Sequence, residues 1–122
     1  MPIKKYVADA DNTIVNAFQN NLETRGTGAN TGMSDVLETY SVYERVASGS
    51  QELSRILVKF PTTSIAADRA SDVLPASGSV SFYLRLFNAE TTRTVPRKID
   101  IAVHAVSQSW QEGVGLDLTG YK

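Results

Sequence analysis

The side chains able to do chemistry in this chain are few and scattered. His104 is the single histidine. On a strand it would project from the face opposite Ile101 and Val103, with Asp100 four residues before it on the same side. A catalytic base needs a nucleophile and an orienting partner within hydrogen-bond reach. No motif of the Gly-x-Ser-x-Gly kind supplies one, so His104 reads as a surface or rim residue. Asp9 and Asp11 have the spacing that opens a calcium loop, with Asn12 beside them. Such a loop requires a glycine at its sixth position and a glutamate at its twelfth. Counted from Asp9 the sixth position is Ile14, so the motif fails. A looser calcium site drawing on backbone carbonyls is the form that Asp9 and Asp11 still allow.

The glycines of Arg25-Gly-Thr-Gly-Ala-Asn-Thr-Gly32 superficially resemble a phosphate loop, but the stretch contains no lysine and no Gly-Lys-Ser/Thr. It is expected to be a surface or contact loop. Glu38, Glu44, Glu52, Glu90 and Glu112 are the glutamates from which a glycosidase pair would come, and nothing in their spacing sets any two at a working separation. The least ordinary stretch is Gln108-Ser-Trp110-Gln-Glu-Gly113-Val-Gly115-Leu-Asp117. Its tryptophan suits either a cap on one end of the core or an aromatic platform for a sugar ring or a partner. No catalytic residue, cofactor site or firm metal site emerges.

Candidate strands run over Ile3–Ala8 and Thr13–Phe18, separated by a turn at Asp9–Asn12, where short polar side chains bond nearby backbone donors. A polar loop over Asn20–Ser34 follows, then a longer, imperfectly alternating strand over Asp35–Val46 and a turn at Ala47–Gln51. Leu53–Phe60 alternates, with Ser54, Ile56, Val58 and Phe60 sharing one face, and Pro61 ends it by removing a ladder donor. Thr62–Ala70 is the one credible helix, with Thr63 or Ser64 as its N-cap. The clearest signal is Ser79–Asn88, where Val80, Phe82, Leu84 and Leu86 recur at a strict period of two. After a polar connection holding Pro96, Lys98–Val106 repeats the pattern with Ile99, Ile101, Val103 and Ala105.

Six or seven strands, one short helix and no βαβ rhythm predict an all-β chain: an antiparallel β-sandwich or jelly roll, with one short helix near residues 62–70. A length of 122 residues fits a single domain over 1–122. Twelve basic and 13 acidic residues leave a net charge of −1, without the basic footprint that nucleic acid demands. The absence of cysteine removes disulfides and thiolate ligands. The start Met1-Pro-Ile-Lys-Lys5 lacks the apolar run of a signal peptide, and no stretch reaches the ~18 apolar residues of a membrane span. Synthesis in a cytoplasm, with release by lysis, is the expected route.

Three segments carry a resemblance: Ser54-Arg55-Ile56-Leu57-Val58-Lys59-Phe60 with its turn Pro61-Thr-Thr-Ser-Ile65, then Val80-Ser-Phe-Tyr-Leu-Arg-Leu86, then Trp110-Gln-Glu-Gly113. Together with Ala8-Asp9-Ala-Asp11-Asn12-Thr-Ile14 and Ala29-Asn30-Thr-Gly32, they make most of the chain similar to DNRLRE-type β-sandwich domains. The resemblance implies two roles. Such domains accompany secreted bacterial proteins and polysaccharide binding, whereas stand-alone chains with Trp110-Gln-Glu-Gly-x-Gly-Leu-Asp117 resemble virion proteins of tailed phages. The family's pattern continues with more strands beyond the tryptophan motif, while this chain ends at Lys122. The sandwich therefore closes with fewer strands, or a neighbouring subunit completes an open edge, or the chain is part of a longer protein.

The expectation drawn from this is a non-enzymatic virion structural protein of a tailed phage, a capsid decoration (cement) protein ahead of a tail or fibre component. Its partners are a homo-oligomer, the major capsid protein or another virion protein, with no nucleic acid, no membrane and no cofactor. Contacts are assigned to an N-terminal arm of about residues 1–11 and to the 20–34 loop, with Ile3, Tyr6, Arg25, Asn30 and Met33 as interface candidates. The alternative is a carbohydrate-binding module in which Tyr83 and Trp110, or Tyr40 or Tyr43, offer ring faces to a polysaccharide.

Overall fold

A computed structural model describes residues 3–19, 21, 23–27, 29–43, 51–75, 77–92, 94–95 and 97–118. The turn expected at 47–51 and the end of the strand expected over 35–46 fall almost wholly outside these residues, as does Pro96.

The described chain is β-rich with one short helix. Strands β1 (Ala10–Val15), β2 (Ala29–Asn30), β3 (Ser41–Tyr43) and β4 (Gln51–Lys59) precede helix α1 (Thr62–Ala70), and β5 (Asp117–Leu118) follows it. β1, β4 and β3 form an antiparallel sheet with β4 in the middle, and β2 pairs antiparallel with β5. The β1–β4 ladder runs from Ala10 opposite Lys59 to Val15 opposite Ser54. It is extended at both ends by Asp9 N–H donating to the Lys59 carbonyl and Asn16 N–H to that of Leu53.

Ser54 shows why a hydroxyl occupies an inward position of β4. It is buried, its Oγ accepts the Tyr40 N–H at 2.7 Å and donates to the Glu38 carbonyl at 3.0 Å, and its own N–H donates to Tyr40 O. One residue thus staples the segment before β3 onto the central strand, leaving no orphaned polar atom.

β1 begins three residues earlier than expected, and Ala10, Asp11 and Asn12 belong to the strand rather than to a turn. Pairing with β4 outweighs the local turn preference of Asp and Asn, because it gives their backbone groups ladder partners. Residues 3–8, expected as a strand, contain none. Helix α1 spans the expected residues, but Pro61 occupies its N-cap and no side chain caps it. Thr63 and Ser64 therefore lie inside the first turn, beyond the cap position assigned to one of them. Past the helix, Asp72 takes φ of 56°, and the N–H groups of Val73 and Leu74 both donate to the Asp68 carbonyl, which turns Leu74 into the interior.

The largest departure concerns Ser79–Asn88 and Lys98–Val106. None of their described residues lies in a strand, and every described residue from Ser81 to Ser109 is exposed. A strand exists only against a partner backbone, and among the described residues none forms a ladder with these segments. Correspondingly, Ala17 and Leu74 are the buried apolar residues among those described. Leu53, Ile56, Leu57 and Val58 of β4 are only half-covered.

Candidate functional site

Three features of the described surface concentrate its specific contacts: a polar clasp over β1, a groove beside that clasp, and the exposed 81–109 segment. The clasp forms because the chain returns after Trp110 to lie along the outer edge of β1. Glu112 Oε1 accepts the Asp11 N–H at 2.9 Å, and the Glu112 carbonyl accepts from Asn12 Nδ2 at 2.8 Å. Asn12 is buried and uses its Oδ1 to accept from the N–H and the hydroxyl of Thr31. Thr31 Oγ1 in turn accepts the N–H of Thr13 at 3.1 Å and donates to the Thr13 carbonyl at 2.9 Å.

Side chains from two distant segments therefore occupy edge donors of β1 that another strand would otherwise pair. Blocking an edge in this way suppresses unwanted strand addition.

Asn30 completes the clasp. Its Oδ1 accepts the N–H of Gly32 and of Gly115, each at 3.0 Å, drawing β2 and the segment ahead of β5 together. The approach leaves no room for side chains. A Cβ on Gly115 would collide with the Asn30 backbone carbonyl, and one on Gly32 with that of Glu112. Gly113, at φ of 80°, faces the Asn30 amide.

Beside the clasp lies an open groove of about 230 Å³, with Val15, Val36 and Leu116 as its apolar lining and Thr13, Glu38 and Tyr40 among its polar residues. It is large enough for one or two side chains, and Glu38 is the one charged residue in its lining.

The N-terminal segment is tied to α1. Tyr6 OH donates to Asp68 Oδ2 at 2.6 Å, and Lys4 Nζ pairs with the same oxygen at 3.0 Å. Partial desolvation, then the Asp68 hydrogen bond and charge, push the Tyr6 phenol up to about 12. The Tyr6 hydrogen bond, aided by Lys4, lowers the Asp68 carboxyl from its ordinary 3.8 against an opposing desolvation.

The candidates named from sequence are dispersed over this surface. Ile3 is exposed, whereas Tyr6 is half-buried against α1. The Arg25 guanidinium stacks 3.6 Å from the Phe18 ring centre and donates to the Asn16 carbonyl. Asn30 sits in the clasp, and Met33 exposes its side chain while its N–H donates to Gly115 O at 2.9 Å. Tyr83 is 89 % exposed, His104 is exposed, Trp110 is half-buried and Tyr40 lines the groove; the Tyr43 side chain lies outside the description. Asp9 is exposed, and the backbone of Asp11 is engaged by Glu112. Among the described residues, no group of three or more His, Cys, Asp or Glu side chains is placed to hold an ion.

Sequence reasoning named Glu112 only among the glutamates, Asn12 only beside Asp9 and Asp11, and Ser54 only on the inward face of its strand, and assigned none of them these contacts. Only Glu112 carried a signal, as a neighbour of the glycines at 113 and 115. No helix among the described residues is long and apolar enough to cross a membrane. Comparison with protein-family models, with curated proteins and with solved structures finds no match.

Proposed function

We propose that this chain is a non-enzymatic structural protein of a tailed-phage virion that decorates the capsid head and works by binding. In this reading the β1–β4–β3 sheet is one layer of a β-sandwich, and the alternating segments 80–86 and 99–105 belong to the second layer. The observation that carries the reading is the exposed 81–109 segment, with Phe82 at 65 % and Val103 at 72 % exposure. Apolar residues presented in this way mark a surface made for assembly. The resemblance of Trp110-Gln-Glu-Gly-x-Gly-Leu-Asp117 to virion proteins supplies the particle, and Glu112, Gly113 and Gly115 of that phrase build the clasp.

The test is immunogold labelling of gradient-purified tailed-phage particles with antibodies raised against the purified chain, beside peptide mass spectrometry of the same bands. Label on the heads is the expected result. Absence of the chain from every band, combined with its retardation in gels containing soluble polysaccharide, would overturn the reading.

That outcome would favour a carbohydrate-binding module, for which the open ring of Tyr83 is the specific support. A Tyr83→Ala chain would then migrate freely through the polysaccharide gel while keeping its fold.

A further inference from the structure

The segment between Gly78 and Trp110 combines two properties that do not coexist stably in water. Val80, Phe82, Leu84 and Leu86, and likewise Ile99, Ile101 and Val103, recur at the period of a strand with one dry face. Yet from Phe82 onward these side chains are exposed, and the described body buries little apolar surface of its own. Both an apolar arm and an apolar acceptor thus reside in one chain, uncovered.

We infer that the occupant of the groove beside β1 is the arm of a second copy: residues 80–86 of one chain seat on the Val15–Val36–Leu116 lining of its partner, and the exchange is reciprocal. The inference rests on the sandwich reading above and adds the source of the second layer.

Two observations support a second copy. First, no described residue of the chain's own arm lines the groove. The arm is held to its own body at both ends, by Leu74 behind α1 and by the Glu112 clasp, so it can be exchanged without opening that body. Second, charge is divided between arm and body. Residues 79–109 carry four basic and two acidic side chains, and the rest of the chain carries eight and eleven. An arm of net positive charge is therefore matched to a body of net negative charge, and with its own groove untouched by its own arm, the match is available to another copy.

Reciprocal exchange is also self-complementary, as a closed two-fold interface requires.

The natural absence of cysteine makes the test direct. Full-length Leu84→Cys and Val36→Cys chains carrying different tags are mixed, refolded together and oxidised, while the unmodified chain is sized by light scattering against its 13.3 kDa monomer mass. The expected result is a mass of two or more chains, with a disulfide joining the two tags. The Phe82→Asp/Leu84→Asp chain is expected to dissociate to monomers on dilution at least tenfold more readily than the unmodified protein.

Two results would overturn the exchange, and they separate it from the sandwich reading. A monomer in which a Leu84→Cys/Val36→Cys double variant closes its disulfide internally would mean that the arm folds over its own sheet, so that the sandwich stands and the exchange fails. A monomer with no disulfide in either arrangement, and with rapid proteolysis within 79–109, would remove both.

Discussion

Glu112 and Asp11 are separated by 101 positions and joined by a hydrogen bond of 2.9 Å from the Asp11 N–H to the Glu112 carboxylate. The bond places a negative charge on an edge donor of β1, and the same residue's carbonyl receives the buried Asn12 amide. Two ends of the chain are thereby locked around one strand edge.

Glu112→Ala removes a charged acceptor from a half-buried donor. The expected loss is about 1.5 kcal/mol, at the low end for a hydrogen bond to a charged group because the site is partly open to solvent. Glu112→Gln keeps an acceptor and should lose about half as much. Urea unfolding followed by circular dichroism measures both, and a Glu112→Gln chain as stable as the original would show that the charge contributes nothing.

The glycines around Asn30 separate by position. Gly115→Ala drives a methyl group into a backbone carbonyl, which cannot swing aside as a side-chain tip can. It should cost about 2–3 kcal/mol through overpacking. Gly113→Ala adds left-handed backbone strain and should fall in the same range. Gly78→Ala meets nothing within 4 Å and serves as the neutral control. Unfolding midpoints that agreed across the three variants would refute the clasp geometry.

Ser54→Ala leaves the Tyr40 N–H without its acceptor and the Glu38 carbonyl without its donor. The segment before β3 should detach from β4, with a stability loss of about 1–2 kcal/mol. Faster amide exchange at Tyr40, with slow exchange retained within the β1–β4 ladder, is the signature to measure.

The contacts of Tyr6 and Lys4 with Asp68 give attachment of the N-terminal segment a defined pH window. Asp68 has a lowered folded value, so its contribution is present above the ordinary 3.8 and disappears as pH falls through the lowered value. Tyr6 has a raised folded value, so its contribution is complete below 10.0 and is lost as pH rises towards about 12. The NMR shifts of the aromatic ring at position 6 should therefore move towards their free values at both extremes. In Asp68→Asn the acid limb should vanish, and in Tyr6→Phe the alkaline one. Unchanged profiles would dissociate these groups from the attachment.

The sequence by itself determined a β-rich chain, the position of α1, and most of β4. Those features depend on neighbours close in the chain: alternation along Leu53–Phe60 and the missing N–H of Pro61 are local constraints that act before any long-range contact forms. It also showed that Val80–Leu86 and Ile99–Ala105 each suit a strand with one apolar face.

Only the tertiary structure decided that Asp11 and Asn12 belong to a strand, because β4 and Glu112 offer their backbone and side chains better partners than a local turn does. It likewise left the two clearest alternating segments unpaired. Periodicity specifies which face must be dry but not which surface dries it, and the ladder and the cover both come from residues distant in the chain or outside it.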